Sequence, residues 1–223
     1  MCGRFTLKTE RERIKEMFRL QRLGQFDPRY NIAPSQPVFA VRMNAENGER
    51  EGTFFKWGLI PSWAKEPSIG NNLANARADT VATKPAFRSA FKKRRCLVVA
   101  DGFYEWRAGP GGKTPYYFQM KDQGPFAFAG LWERWEKGEE PIETCTLITT
   151  DANAVVGQVH NRMPVILDPG SFDRWLDPNE QRAEVFQVIF VPLPDDSLTA
   201  YPVSKLVNNP KNQGPQCIEP ART

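Results

Sequence analysis

Cys96-Leu97-Val98-Val99-Ala100-Asp101-Gly102-Phe103-Tyr104-Glu105-Trp106 is an apolar run, rich in β-branched and aromatic residues, that passes a glycine and then carries a carboxylate among aromatics. Such a composition fits a pleated surface buried on at least one face, so the run is expected to be a strand. Working outward, shorter runs of the same character lie at Pro37 to Met43, Gly52 to Trp57, Pro115 to Met120, Phe126 to Trp132 and Thr144 to Thr149. Asn47-Gly48, between the first two of these, suits a hairpin turn because both residues tolerate positive φ. Thr9 followed by Glu12 has capping-box spacing, Ile14, Met17 and Phe18 recur at helical intervals, and Gly24 is placed to close the helix. Shorter helices are expected after Thr83, after Asp151, near Ser171 to Leu176 and after Asp177-Pro178, where cap residues precede helix-compatible runs. The pattern is α+β with mostly antiparallel pairing.

At 223 residues the chain is long enough to bury a sizeable core as one domain. Its prolines are scattered, and no repeat or linker divides it, so a single domain over 1–223 is expected, with a loose tail from Asn212 through Gly214-Pro215 to Thr223. There is no apolar run of membrane-spanning length, and the first residues lack the apolar stretch of a signal peptide. The expected location is therefore the cytoplasm. The 4 cysteines (Cys2, Cys96, Cys145, Cys217) form no C-x-x-C pair and there is 1 histidine, so no metal site is expected. The formal charge of +4 is modest, but Lys84, Arg88, Lys92, Lys93, Arg94 and Arg95 follow one another with no acidic residue between. That segment is a candidate phosphate-facing patch, the alternative being a solvated helix end.

Met1-Cys2 carries the most chemistry. Trimming of methionine ahead of a small residue leaves a cysteine with a free α-amine, a 1,2-aminothiol. The unperturbed amine and thiol titrate at about 7.7 to 8.0 and about 8.5, so both nucleophiles are accessible near neutrality. Amine attack on an aldehyde gives an imine, and sulfur attack on its carbon closes a five-membered thiazolidine, helped by intramolecularity. Gly3 permits close approach of a ligand, and Arg4 sets a phosphate-competent guanidinium beside the nucleophile. The alternative for Cys2 is an ordinary buried thiol. Glu105, among aromatics, is either a carboxyl of raised pKa able to exchange protons near neutrality or a rim residue paired with Arg107. His160, at the junction His160-Asn161-Arg162-Met163-Pro164, is either an acid-base residue or a structural one. Asn75 and Arg77 stand at alternating positions in Asn75-Ala76-Arg77-Ala78-Asp79-Thr80, aimed the same way if extended, or form a polar strand edge.

These segments together resemble the SRAP family, the SOS-response-associated peptidases understood as abasic-site processing proteins. The resemblance rests on M-C-G-R-F at the start, R-Y-N-I-A-P from Arg29, W-G-L-I-P-S-W from Trp57, N-A-R-A-D-T from Asn75 and D-G-F-Y-E-W from Asp101. It continues through G-L-W-E from Gly130, H-N-R-M-P from His160 and P-V-S-K-L-V-N from Pro202. It implies one α+β domain with an antiparallel, barrel-like sheet core and peripheral helices. It also implies that Cys2 forms a thiazolidine crosslink with an abasic site in single-stranded DNA, with catalytic help from Asn75, Glu105 and His160. Arg4, Arg77 and Arg162 match residues that hold DNA phosphates, Trp63 is the candidate wedge against the bases, and Lys84 and Arg88 extend the contact. The activity expected is crosslinking with lyase character, together with peptidase-like loss of Met1, and without cofactor, metal or membrane. The protein is expected to act as a monomer, on the bacterial nucleoid when bound to DNA. Two other classes use the same residues: an N-terminal-nucleophile cysteine hydrolase attacking an amide, and a modified-DNA-binding module indifferent to Cys2.

Overall fold

A computed structural model describes residues 2–221. Its strands are β1 (Phe5–Leu7), β2 (Arg29–Ile32), β3 (Pro37–Met43), β4 (Arg50–Trp57), β5 (Asn75–Arg77), β6 (Arg95–Ala100), β7 (Gly102–Gly109), β8 (Gly112–Met120), β9 (Phe126–Trp135), β10 (Ile142–Asp151), β11 (Arg162–Pro164), β12 (Ile166–Leu167) and β13 (Leu198–Pro202). The α-helices are short: α1 (Arg11–Phe18), α2 (Arg88–Lys93), α3 (Ala154–Gly157), α4 (Phe172–Leu176) and α5 (Ala183–Gln187). The four short helices expected from cap residues all form. Strands β1, β2 and β13, each too short for a periodic signal, were not legible, whereas Asn75–Arg77 is extended as β5 and the short strands β11 and β12 follow the His160 junction.

The run from Cys96 to Trp106 is not one strand. It breaks at Asp101 between two sheets. On one side β6, buried at every position, pairs with β3 and β9. The ring then closes through β3 with β4, β4 with β10, and β10 back to β9. A sheet closed on itself leaves few unpaired edges, which is the barrel-like core expected. On the other side β7 lies in a second sheet of order β13-β8-β7-β1-β2. Pairing is antiparallel except where β10 runs parallel to β4 and β5. The ring of Phe5 on β1 joins the two sheets, 5.1 Å from Trp57 and 5.6 Å from Phe128.

The corner has a chemical cause. The Asp101 carboxylate accepts hydrogen bonds from Thr6 Oγ1 (2.6 Å), Lys8 N (2.6 Å), Thr9 N (2.7 Å) and Thr9 Oγ1 (2.8 Å). It thereby holds the chain that follows β1 across the strand break. Gly102 is required next to it, since a Cβ there would lie 2.0 Å from the Tyr117 hydroxyl oxygen. This contact also overturns the capping box: Thr9 is turned to Asp101, α1 starts at Arg11, and no side chain caps it. The helix stops at Arg19, itself left-handed at φ 53°, and Gly24 takes no part. The turn at Asn47-Gly48 does join β3 to β4, with Gly48 at φ 70° and Asn44 N donating to Glu49 O at 2.8 Å.

Arg95, counted in the basic patch, is instead interior. It is 4 % exposed and donates to the carbonyls of Trp175 (2.6 Å), Phe91 (2.6 Å), Glu180 (2.8 Å) and Asp177. Burial lowers its pKa to about 10, still well above neutrality. Arg94 is tied to Glu133 at 2.8 Å. The segment from Asn212, expected to be loose, makes fixed contacts. Gln213 donates to Asn31 O (2.8 Å), Cys217 is buried, and Ala221 N donates to Pro202 O (2.9 Å). Arg222 and Thr223 lie outside the described residues.

Candidate functional site

The register of β1 on β7 sets the nucleophile in place. Phe5 faces Phe103 and Tyr104 N donates to Arg4 O at 2.9 Å, so the antiparallel register, continued toward the amino end, sets Gly3 opposite Glu105 and Cys2 one residue beyond it. Cys2 feels the charge of Glu105. From the barrel side, β5 on β10 presents Asn75, whose Nδ2 donates to Cys2 O at 2.8 Å. At the same end of β10, Asp151 faces Arg162 on β11, and His160 stands two residues ahead of Arg162. The charge of His160 reaches Glu105. Four residues separated by up to most of the chain thus meet at the seam between the sheets.

Their electrostatics differ from what exposed side chains would show. Cys2 is fully buried, and desolvation, reinforced by the negative charge of Glu105, pushes its thiol far above the ordinary range. With Met1 still ahead of Cys2, burial thus disfavours the thiolate, whose accessibility the sequence suggested for the trimmed chain. Glu105 is 3 % exposed, and its carboxyl is raised because burial disfavours the charged form, with the positive charge of His160 opposing. Nδ1 of His160 accepts from Arg162 N at 3.0 Å, which leaves the proton of the neutral ring on Nε2. The carbonyl oxygen of Arg162 lies 3.2 Å from the same Nδ1, an acceptor already in place for the protonated ring. Asn75 Oδ1 is buried and has no hydrogen-bond partner among the described residues.

The candidate DNA contacts divide into two groups. Arg4 is turned into the protein: its Nη1 donates to Asn31 Oδ1 (2.7 Å) and Val207 O (2.6 Å), and its guanidinium lies 5.7 Å from the centre of the Trp106 ring. Arg162 likewise donates to Thr149 O (2.6 Å) and pairs with Asp151 (2.7 Å). Both are candidates for phosphate contacts, and their guanidinium groups also fasten the site's own strands. Arg77 is exposed and, among the described residues, its ion pair is with its neighbour Asp79, at 2.6 Å. Lys84 and Arg88 are exposed at the approach to and start of α2. Trp63 is 53 % exposed, its indole N–H donating to Pro85 O at 3.3 Å.

A family model described as SOS response associated peptidase (SRAP) matches residues 1–210. The chain belongs to the SRAP family. A similar protein of Bacillus subtilis (strain 168), abasic site processing protein YoqW, is 43% identical, the match covering 98% of this chain and 99% of that one. The abasic site processing protein HMCES of Gallus gallus is 36% identical over 89% of this chain and 68% of its own. Among solved structures, a protein from Bacteroides thetaiotaomicron superposes with a TM-score of 0.86 at 28% identity, covering 99% of this chain and all of that one, 100%.

In this SRAP chain two supporting residues escaped the sequence reading although both lie within its motifs. Asn31, fully buried in R-Y-N-I-A-P, accepts from Arg4 and donates through Nδ2 to the carbonyls of Asn209 (2.9 Å) and Asn212 (2.8 Å). It ties the amino-terminal strand to the C-terminal segment. Asp101 anchors the same strand from the other end. The signal available was a lone polar residue inside an apolar strand, which must find partners when buried. Among the described residues no group of three or more His, Cys, Asp or Glu could hold a metal ion, and no helix is long and apolar enough to cross a membrane.

Proposed function

We propose that this SRAP protein processes abasic sites in DNA by capturing the open-chain aldehyde of the sugar as a thiazolidine on Cys2. The observation that carries this is the setting of Cys2, whose carbonyl is pinned by Asn75 while its buried thiol lies in the field of Glu105. Met1 lies outside the described residues. Its removal, by the protein itself or by an aminopeptidase, precedes capture because only a free α-amine can form an imine.

The amine nitrogen attacks the aldehyde carbon and the oxygen departs as water, leaving an imine. The sulfur then adds to that carbon as the thiol proton passes to a base and the nitrogen gains a proton, so that aminothiol plus aldehyde give thiazolidine plus water. Glu105 suits the proton transfers of closure, since burial raises its carboxyl and so favours proton uptake as well as release. General acid-base help of this kind is worth about 10²- to 10⁴-fold. The buried, unpartnered Oδ1 of Asn75 suits a hydroxyl of the sugar. Reopening needs a proton delivered to the leaving sulfur, a task for the imidazole of His160. Arg77, Lys84 and Arg88 hold phosphates, and Trp63 meets a base, an arrangement that grips a single strand without reading its sequence.

Incubation with single-stranded DNA containing an abasic site, followed by a denaturing gel, tests the proposal. A retarded covalent band is expected that disappears in Cys2→Ala and when any residue is retained ahead of Cys2. Efficient crosslinking by protein with a blocked amino terminus would overturn the aminothiol mechanism. Noncovalent binding indifferent to Cys2 would instead mark a DNA-binding module, and cleavage of a peptide amide without a DNA adduct would mark a hydrolase.

A further inference from the structure

The basic run that the proposed site uses only at its start continues to a cavity elsewhere on the surface. From Arg77 the chain winds in successive turns: Val81 N donates to Arg77 O (2.9 Å), Lys84 N to Thr80 O (2.9 Å), Arg88 N to Lys84 O (2.9 Å) and Phe91 N to Phe87 O (2.8 Å). Phe87 and Phe91 are buried, which leaves Lys84, Arg88 and Lys92, spaced four apart, exposed in one row. At the end of this row opens a cavity of about 830 Å³ lined by Lys93, Arg94, Trp132, Arg174, Leu176 and Pro178. Its volume lies in the range of clefts that enclose small ligands.

Charge decides what the cavity suits. Asp173 and Asp177 also line it, but Asp173 is paired with Arg50 (2.5 Å) and Arg19 (3.7 Å), and the charge of Asp177 faces Arg95. Arg94 is paired with Glu133. Lys92, Lys93 and Arg174 have no ion pair among the described residues, so the row and the cavity mouth keep unmatched positive charge over an apolar floor. A polyanion with flat apolar groups satisfies both features.

We propose that this row and cavity form a second contact for the same DNA strand, gripping nucleotides that flank the abasic site. The inference rests on the proposed abasic-site reading. Helical turns rise about 1.5 Å per residue, which sets roughly 20 Å as the scale of the stretch from Arg77 to Lys92, of which only α2 is regular helix. At 3.4 Å per phosphate of a stacked strand, that distance is about six nucleotides. Short strands therefore fill only the capture site, and longer ones reach the cavity.

The test uses single strands carrying an unreactive tetrahydrofuran abasic analogue, with flanks of about two or about ten nucleotides on each side, and measures noncovalent affinity against salt. The long strand is expected to bind at least roughly tenfold tighter at 0.1 M salt, with a steeper log-log salt slope. In Lys92→Glu/Lys93→Glu/Arg174→Glu the long strand should fall to the affinity of the short one. Its slope should lose about 2, at roughly 0.7 per phosphate contact. The charge-neutral Gln triple variant should show the same direction, and circular dichroism confirms the fold of each. Equal affinity for both lengths, or equal weakening of both by the variants, overturns the second contact, as does an extra affinity of the long strand that undamaged single-stranded DNA does not compete away. Crosslinking to a reactive short abasic strand runs beside these measurements: its absence refutes the underlying function, and its presence without a length effect refutes only the extension.

Discussion

Replacing Asp101 by Ala removes the carboxylate that anchors the end of β1 and the turn after it. The carboxylate is 1 % exposed and accepts from Thr6 Oγ1, Lys8 N, Thr9 N and Thr9 Oγ1 at 2.6 to 2.8 Å. Hydrogen bonds to a charged acceptor contribute about 1.5–3 kcal/mol each, and removing one partner leaves the others desolvated. Because the four share one acceptor, their losses do not add, and a cost of about 3–5 kcal/mol is expected, the range for breaking a buried charged network. Against a typical stability of about 5–15 kcal/mol the variant still folds, and at a urea slope of about 2 kcal/mol/M its midpoint falls by roughly 2 M. Asp101→Asn keeps one acceptor oxygen and should lose about half as much. β1 is only three residues long and meets β7 through Phe5 and Thr6, so loosening it displaces Cys2 from Glu105. The initial rate of crosslinking per folded molecule should drop by about tenfold, since misplacement by an ångström costs heavily in a proximity-driven reaction. A midpoint shift below about 0.3 M, or unchanged crosslinking in a clearly destabilised variant, would show that the corner does not position the nucleophile.

Three further outcomes follow from the same geometry. Glu105→Gln should slow adduct formation by about 10²-fold or more, while His160→Ala should form the adduct yet release it more slowly under challenge by competing abasic DNA; equal slowing of formation in both, with release untouched, removes the division of roles. Glu105 also ties stability to pH. Its folded pKa is raised by burial above the unfolded value of about 4.3, so its contribution is fully present below that value and is lost as pH rises through the folded pKa. Glu105→Gln should therefore gain on the native protein in urea midpoint between pH 4 and pH 8, and a constant difference across that range contradicts the assignment. Arg77→Ala should flatten the salt dependence of single-strand binding by roughly 0.7 in log-log slope for any base sequence, whereas a sequence-dependent loss with unaltered slope points to base reading.

Length, patterning and motif order were enough to fix the α+β class, the longer strands, the four short helices and the chemistry available to Cys2, because each is written in residues close together in sequence. Hydrophobic runs choose strand over helix locally, and a 1,2-aminothiol is the property of a single residue. What the chain could not disclose alone depended on distant partners. The continuous look of Cys96 to Trp106 hid a corner, since nothing local reveals that Asp101 meets Thr6 and Thr9 or that Tyr117 occupies the space beside Gly102. The same contact diverted Thr9 from capping α1. Arg4, Arg95 and Arg162 look alike as charges in sequence, yet carbonyls brought from remote segments turn them into fasteners of the fold while Arg77 stays at the surface. Tertiary burial also disfavours the Cys2 thiolate while Met1 is in place, because desolvation is a property of the surroundings that the residue's own pKa does not contain.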